Sequence, residues 1–297
     1  MSIASIRGVI CPMVTPFDQD GALDLEATSR LVDFLVSHGV DGLMVAGTTG
    51  EGMLLDLDER RQLLEWVLER AAGRAAVIAH VGGMTTRESV ALAAHARSVG
   101  ASAVAVITPF FFPYDDEALY AHFLAVAEAA GETPVFLYAF PANARNDISP
   151  ALFERLLEAA PNIVGMKSSN PSLLRLQEYL DLAGDRAGVF CGVDGLMLPA
   201  LTMGARGQIS GNANAFPEVF RDLYVAFTQG DLGRARQLQG LVNRIRRVLA
   251  DGASPAYFKE ALRCRGVSVG WVRPPMRELA PEEARAVRDG LRGLGLL

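Results

Sequence analysis

Short, nearly continuous apolar runs alternate with longer amphipathic stretches along most of the chain. Runs of this length without polar alternation are typical of strands that are buried on both faces of a parallel sheet. They predict strands at residues 8–14, 40–46, 76–80, 103–108, 135–138, 163–167, 188–191 and 207–210.

The stretches between these runs repeat their apolar residues at the spacing of one helix face. They predict helices at residues 25–37, 58–72, 86–99, 116–130, 150–159, 172–182, 196–201 and 217–228. Strand and helix therefore alternate about eight times within roughly 230 residues, which matches one closed barrel better than an open doubly wound sheet.

After Gly230 the alternation stops, and only helices are predicted, at residues 232–250, 255–264 and 281–291. We therefore predict an α/β fold with two parts. A (β/α)8 TIM barrel over residues 1–230 carries the active site, and a C-terminal three-helix extension follows over residues 231–297.

The composition of the chain excludes several classes of protein function. Of 297 residues, 50% are hydrophobic and 21% are charged, which is ordinary for a soluble protein with a large core. The formal net charge of -6 gives no electrostatic footprint for nucleic acid or an anionic membrane. Cys11, Cys191 and Cys264 are far apart, so neither a disulfide framework nor a zinc site is indicated. Because the N-terminus lacks the apolar core of a signal peptide, we expect a cytoplasmic protein.

Lys167 is the first candidate for chemistry, because it ends the apolar run 163–167 and precedes the polar residues 168–170. An ammonium group with apolar neighbours loses hydration, which favours the neutral amine that can attack a carbonyl. The structural alternative is a lysine whose ammonium group extends from the strand end into water.

Other polar groups follow the predicted strands, and active sites of (β/α)8 enzymes lie at the carboxyl ends of their strands. Residues 47–52 read Gly-Thr-Thr-Gly-Glu-Gly, in which accessible N–H groups beside two hydroxyls form a cradle for a small carboxylate or phosphate. Tyr138 ends another run. Alone, the loop is equally well a simple turn, and the tyrosine a core residue. Together with Lys167, they supply the amine, proton shuttle and anion site that Schiff-base chemistry requires.

Five segments resemble, in order, the motifs of the dihydrodipicolinate synthase and N-acetylneuraminate lyase family. They are Gly-Thr-Thr-Gly-Glu at 47–51, Thr-Pro-Phe-Phe-Phe-Pro at 108–113, Tyr-Ala-Phe-Pro at 138–141, Gly-Met-Lys at 165–167 and Gly-Gln-Ile-Ser at 207–210. The resemblance covers nearly the whole chain, including residues 256–262 and 273–275 near the C-terminus.

The resemblance implies a class I aldolase in which Lys167 forms a Schiff base with C2 of pyruvate or another 2-oxo acid, while Tyr138 transfers protons. Because the iminium group itself is the electron sink, no metal or organic cofactor is required. The family also implies a homotetramer, built as a dimer of dimers.

Further pocket residues follow from the same resemblance. Thr48 and Thr49, with Gly47, would bind the substrate carboxylate, and Gly192 and the carbonyl group of Ile209 would line the pocket.

Two departures from the family pattern concern the second substrate. Dihydrodipicolinate synthases have an arginine two residues after the proline of the tyrosine motif, but Pro141 is followed here by Ala142-Asn143. Arg145 is the candidate replacement, although a bidentate grip on a carboxylate depends on placement. Phe111 stands where the family's hydroxyl relay usually has a tyrosine, so water or Tyr114 would have to pass the proton.

Residues 78–82 and the phenylalanines 110–112 look more like the sialic acid and 2-keto-3-deoxy sugar acid lyases. The sialic acid enzymes, however, have a glutamate after the position of Asp194, where this chain has Gly195. We therefore expect a substrate other than sialic acid, and a pocket made apolar by the phenylalanines. His80 either touches the substrate or supports the structure.

The sequence thus predicts a pyruvate-dependent lyase that cleaves or forms a C–C bond between pyruvate and an aldehyde, with a 2-keto-3-deoxy acid as substrate. One alternative is 4-hydroxy-tetrahydrodipicolinate (dihydrodipicolinate) synthase, which condenses pyruvate with aspartate semialdehyde. Another is a dehydratase, because the same iminium can expel a β-substituent. A barrel that binds a 2-oxo acid without catalysis is the alternative from outside the enzymes. We expect neither nucleic acid nor a membrane as a partner.

Overall fold

In a computed structural model that describes residues 6–297, parallel strands are hydrogen-bonded in chain order into a closed eight-stranded barrel. The predicted (β/α)8 fold is therefore confirmed. The strands are β1 (Gly8–Pro12), β2 (Gly42–Val45), β3 (Ala76–His80), β4 (Ala103–Ile107), β5 (Val135–Ala139), β6 (Ile163–Ser168), β7 (Gly188–Cys191) and β8 (Gly207–Ile209).

The helices of the described residues follow the predicted positions closely. They are α1 (Leu25–Ser37), α2 (Leu57–Ala71), α3 (Thr86–Ser98), α4 (Asp116–Ala130), α5 (Pro141–Ala144), α6 (Pro150–Ala159), α7 (Leu173–Ala183), α8 (Met197–Thr202), α9 (Pro217–Thr228), α10 (Leu232–Val248), α11 (Pro255–Cys264) and α12 (Pro281–Gly293). Helix α5 was not predicted, because four residues that begin with a proline are too few to show a helical period. None of the described helices combines the length and the apolar character needed to cross a membrane.

Side-chain caps explain where many helices begin. The carboxylate of Asp56 accepts hydrogen bonds from N–H groups in the first turn of α2, and the carboxylate of Glu59 accepts one from the N–H of Asp56. Thr85, Ser149 and Ser172 cap α3, α6 and α7 through their hydroxyl oxygens. These bonds satisfy N–H groups that have no partner within the helix.

The strands are buried along most of their length, as expected for a parallel sheet covered by helices. The register of β4 to β7 decides which side chains share a level. Ile107 pairs with Tyr138, Tyr138 with Lys167, and Lys167 with Phe190. Side chains at paired positions lie on the same face, so the register brings the tyrosine beside the lysine.

The described chain forms two compact units. We call residues 76–209, together with residues 6–7, the central unit, and residues 8–75 with 210–297 the terminal unit. Helices α10 to α12 belong to the terminal unit. The proposed boundary at residue 230, between the barrel and its extension, stays a prediction.

Candidate active site

Lys167 and Tyr138 form the core of the candidate site in the central unit. Lys167 is 5% exposed near the end of β6, and Tyr138 is 1% exposed at the paired position of β5. The Nζ atom of Lys167 lies 4.0 Å from the centroid of the Tyr138 ring. Among residues 6–297, no carboxylate lies within ion-pair distance of this nitrogen. The structure therefore brings together the two residues that the sequence singled out for nucleophilic attack and proton transfer.

Aromatic rings surround Tyr138. The imidazole ring of His80 meets the phenol ring edge-on, with a centroid distance of 6.0 Å, and the ring of Phe140 stacks on the phenol at 6.0 Å. His80 is 3% exposed at the end of β3. Phe110 also packs against this cluster. These contacts fix the plane of the phenol ring, which is a structural role for His80.

The absence of a side chain at Gly192 leaves room for the side chain of Lys167. A Cβ atom at this position would lie 2.2 Å from Ser169 Oγ and 3.2 Å from Lys167 Cε, so a larger residue would displace both side chains. The preceding residue, Cys191, is buried, and burial raises the pKa of its thiol to about 12. The thiol therefore stays protonated at neutral pH and does not compete with the amine as a nucleophile.

Asp194 and Ile209 are both buried in the central unit, at 7% and 3% exposure. The carboxylate of Asp194 accepts a hydrogen bond of 2.8 Å from the side-chain amide of Gln208, which is fully buried on β8. Gln208 was not among the site residues predicted from the sequence. A polar residue inside the apolar run 207–210 was the signal that could have found it.

The loop after β4 is held by the side chain of Asn146. Its amide nitrogen donates to the carbonyl oxygens of Pro109 at 2.8 Å and Phe112 at 2.7 Å. Its amide oxygen accepts from the N–H of Tyr114 at 2.9 Å. Both donors and the acceptor of this buried amide are thus satisfied, which orders the loop.

Phe111 and Arg145 have positive φ angles of 78° and 68°, a region that few residues other than glycine adopt. The guanidinium group of Arg145 lies 3.5 Å from the carbonyl oxygen of Phe111. Asn143 and Arg145 are both exposed. Phe111 is 69% and Phe112 54% exposed, so the apolar pocket expected of the phenylalanines stays a prediction. The turn that Asn146 stabilises leaves both rings at the surface.

The Gly-Thr-Thr-Gly-Glu-Gly loop of the terminal unit, residues 47–52, is buried except at its two threonines, which are half-buried. The N–H groups of Glu51 and Gly52 donate back to Thr48 and Gly47 within the loop. The N–H groups of Thr48 and Thr49 donate to no acceptor in the described part of the chain. The threonines therefore form the accessible tip of a closed turn, as an anion cradle requires.

Glycine is required at Gly50 and Gly52. A Cβ atom would lie 2.7 Å from Met13 O at the first position and 1.8 Å from Ala46 O at the second. The carbonyl oxygen of Gly50 accepts a hydrogen bond of 2.5 Å from the hydroxyl of Thr15. The backbone of the loop therefore runs directly against the residues that follow β1 and β2.

The polar anchor of this loop was not predicted from the sequence. Glu51 and Lys259 form an ion pair of 2.8 Å in which both side chains are fully buried. Glu51 has a left-handed conformation with φ of 55°. The partner lies on α11, within a segment that the resemblance covered without giving it a role.

Comparison with known proteins identifies relatives along the whole chain. The model of the dihydrodipicolinate synthetase family matches residues 5–293. A 4-hydroxy-tetrahydrodipicolinate synthase of Aquifex aeolicus is 34% identical over 290 residues, which cover 98% of this chain and 98% of the relative. A DapA-like lyase of Halobacterium salinarum is 38% identical over 292 residues, which cover 98% and 95%.

Solved structures show the same similarity. The crystal structure of YagE, a prophage protein of the dihydrodipicolinic acid synthase family from Escherichia coli K12, was determined in complex with pyruvate. It aligns with a TM-score of 0.95 at 31% sequence identity, and the alignment covers 98% of this chain and 99% of that one. The backbone described above is therefore shared with a protein that binds a 2-oxo acid.

Proposed function

Because the chain belongs to the dihydrodipicolinate synthetase family, whose members are pyruvate-dependent class I lyases, we propose that Lys167 forms a Schiff base with C2 of pyruvate or a related 2-oxo acid. The observation that carries the proposal is the buried Lys167 nitrogen, 4.0 Å from the ring centroid of Tyr138. In the described residues this nitrogen has no carboxylate partner, so it is available to a carbonyl carbon.

The bond changes follow from this assignment. The amine attacks C2, and the carbinolamine loses water to give the iminium. In the cleavage direction, the hydroxyl on C4 gives up its proton, the C3–C4 bond breaks, and its electron pair moves into the iminium to leave an enamine and an aldehyde. Protonation at C3 and hydrolysis then release pyruvate and the free lysine. Condensation is the reverse, and the iminium as electron sink needs no metal or organic cofactor.

We assign the proton transfers to the Tyr138 hydroxyl. Its ring is fixed beside Lys167 by His80 and Phe140, so the hydroxyl needs little reorganisation to meet a carbinolamine at the lysine. Phe111 has no hydroxyl to continue a relay, so the next proton carrier is water or Tyr114.

The carboxylate of the 2-oxo acid is assigned to Thr48 and Thr49, with Gly47 shaping the turn. Their unused N–H groups and their hydroxyls at the accessible tip of the loop support the assignment. Gly192 and the carbonyl group of Ile209 are assigned to the pocket beside the lysine. The clearance that Gly192 leaves for Lys167 supports its place there.

For the second substrate, we favour a 2-keto-3-deoxy acid, which is cleaved to pyruvate and an aldehyde. Support comes from Asn143, which stands where the synthases have the arginine that grips the aldehyde's carboxylate. Dihydrodipicolinate synthesis is the second candidate. The name of the Aquifex relative and the exposed Arg145 beside Phe111 favour it.

Borohydride reduction in the presence of pyruvate tests the Schiff base. We expect a mass gain located on the peptide that contains Lys167, and no gain when pyruvate is omitted. Trapping on another lysine, or no trapping at saturating pyruvate, would contradict the assignment and would favour a barrel that binds the acid without catalysis.

Two assays then separate the substrate classes. Release of pyruvate from 2-keto-3-deoxy acids is expected with the wild-type chain. Product from pyruvate and aspartate semialdehyde would favour the synthase instead, and that product should be lost in Arg145→Ala but kept in Arg155→Ala, an arginine of α6 that serves as the matched control.

A further inference from the structure

A buried ion pair joins the 47–52 loop to helix α11. One carboxylate oxygen of Glu51 lies 2.8 Å from Lys259 Nζ, and both side chains are fully buried. The other oxygen accepts a hydrogen bond of 2.8 Å from the backbone N–H of Arg273. Lys259 also donates to the carbonyl oxygen of Trp271. One charge pair therefore ties together three segments: the loop, α11 and residues 271–273.

A buried pair of this kind is a poor source of stability. Both charges lose their hydration, and apolar side chains of similar volume fill the same space without that cost. Burial lowers the pKa of Lys259, while the Glu51 carboxylate acts in the opposite direction. The pair does, however, fix geometry, because one Glu51 oxygen accepts from the Arg273 N–H and the Lys259 nitrogen donates to the Trp271 carbonyl oxygen.

Residues near the pair also bind the segment that follows the 47–52 loop in sequence. The guanidinium group of Arg273 makes two hydrogen bonds of 2.7 Å to the Glu59 carboxylate and one of 2.9 Å to the carbonyl oxygen of Leu54. On the other side, Thr15 holds the carbonyl of Gly50. Only the tip of the loop, Thr48-Thr49, is left accessible.

We propose that Glu51 and Lys259 are positioning residues, through which α11 and residues 271–273 set the conformation of the 47–52 loop and thereby the affinity for the substrate's carboxylate. This inference rests on the proposed function, because it assumes that Thr48 and Thr49 bind that carboxylate. It adds that residues far along the chain, which do not touch the substrate, determine how well the cradle binds it.

The polarity of the pair is fixed by the backbone. Residue 51 faces an N–H group, that of Arg273, and residue 259 faces a carbonyl oxygen, that of Trp271. A reversed pair, Glu51→Lys with Lys259→Glu, would set an ammonium against a donor and a carboxylate against an acceptor. A simple charge attraction would survive this reversal, whereas the positioning role would not.

The test uses the full chain and titrates pyruvate in the borohydride trapping reaction. The variant is the double substitution Glu51→Gln with Lys259→Met, which removes both charges and keeps the volumes. The control is Glu218→Gln with Arg265→Met, because Arg265 follows the same helix and pairs with Glu218 at 2.8 Å without touching the loop. We expect about a tenfold rise in the half-saturating pyruvate concentration for the first variant, an unchanged plateau, and less than about a twofold change for the control.

Hydrogen exchange gives a second readout that does not depend on labelling. Amide exchange in residues 47–52 should increase in the double variant and not in the control, whereas a purely structural role would raise exchange throughout the chain and not selectively in this loop. Glu51→Asp keeps the charge and suits a left-handed backbone position, but withdraws the carboxylate by one methylene. It should raise the half-saturating concentration in the same direction, even if the double variant fails to fold.

The outcomes separate the two hypotheses. A wild-type chain that is labelled, combined with an unchanged half-saturating concentration in the double variant or in Glu51→Asp, overturns the positioning role alone. Restoration of wild-type affinity by the reversed pair also overturns it. A wild-type chain that is not labelled at all overturns the proposed function and the positioning role together.

Discussion

Two lysines are buried in this chain, and their surroundings differ in almost every respect. Lys259 of the terminal unit is fully buried, paired with Glu51 at 2.8 Å and bonded to the carbonyl of Trp271. Lys167 of the central unit is 5% exposed and lies against the face of the Tyr138 ring. In the described residues, the first nitrogen has an anionic partner and the second has none.

The difference shows that burial alone does not identify a nucleophile. The Lys259 nitrogen is directed at a carboxylate and a carbonyl oxygen, so attack on a substrate would break a buried ion pair. At Lys167 the neighbouring groups are a phenol ring and the space that Gly192 leaves open. The same residue type is thus a structural tie in one unit and the candidate for covalent chemistry in the other.

The same substitution at both positions tests this contrast, and the largest effect is expected at Lys167. Lys167→Met should lower turnover by roughly 10³-fold or more, because the Schiff base cannot form. Its free energy of unfolding should stay equal or rise, because a buried amine without a counter-ion is replaced by an apolar chain. Steady-state assays and denaturant unfolding measure the two quantities, and a clear loss of stability would argue for a structural lysine.

Lys259→Met should show the opposite pattern. It leaves the Glu51 carboxylate buried without its partner, which typically costs about 3–5 kcal/mol of unfolding free energy. Pyruvate trapping on Lys167 should persist at saturating concentration in the folded fraction. The contrast fails if this variant is as stable as the wild type, or if it loses trapping while remaining folded.

The role of Lys167 could be predicted from the sequence and that of Lys259 could not, for a physical reason. Lys167 ends a short apolar strand, and strand ends in a (β/α)8 barrel are where reactive groups gather, so local pattern is sufficient. The environment of Lys259 depends on contacts across long stretches of chain, such as that between Glu51 and Arg273, which are 222 residues apart in sequence. Helical periodicity places Lys259 on α11 but does not state what it faces.

The third prediction concerns the phenol group of Tyr138, which lies beside Lys167. Tyr138→Phe keeps the ring under the amine and removes only the hydroxyl, so it should lower turnover by about 10²-fold while changing stability little. Pyruvate should still be trapped on Lys167, but more slowly. Tyr179→Phe is a useful comparison, since that hydroxyl donates to the carbonyl of Ile148 and its loss should reduce stability without changing the rate at saturating substrate.

The fold, like the role of Lys167, was predictable because it follows from local sequence patterns. Strand β3 and helices α1, α4 and α9 have the predicted bounds, because apolar periodicity and capping residues act locally. The conformations of the loops were harder to predict from the sequence. The positive φ angles of Phe111 and Arg145 depend on the bonds of Asn146 to Pro109 and Phe112, and no local pattern in the sequence encodes that turn.

The smallest effect is expected from acid, at Glu59, whose carboxylate binds Arg273 in the surroundings of the Lys259–Glu51 pair. Hydrogen bonds from Arg273 lower the pKa of Glu59 below its ordinary value of 4.5. A carboxyl whose pKa is lower in the folded state stabilises the fold above its unfolded pKa, and this contribution is lost as pH falls through the folded pKa. Glu59→Gln should therefore be less stable than the wild type at neutral pH, by about 1 kcal/mol or less, and the gap should close below pH 4.5. A gap between Glu59→Gln and the wild type that stays constant through this range would contradict the stabilising role of the Arg273–Glu59 pair.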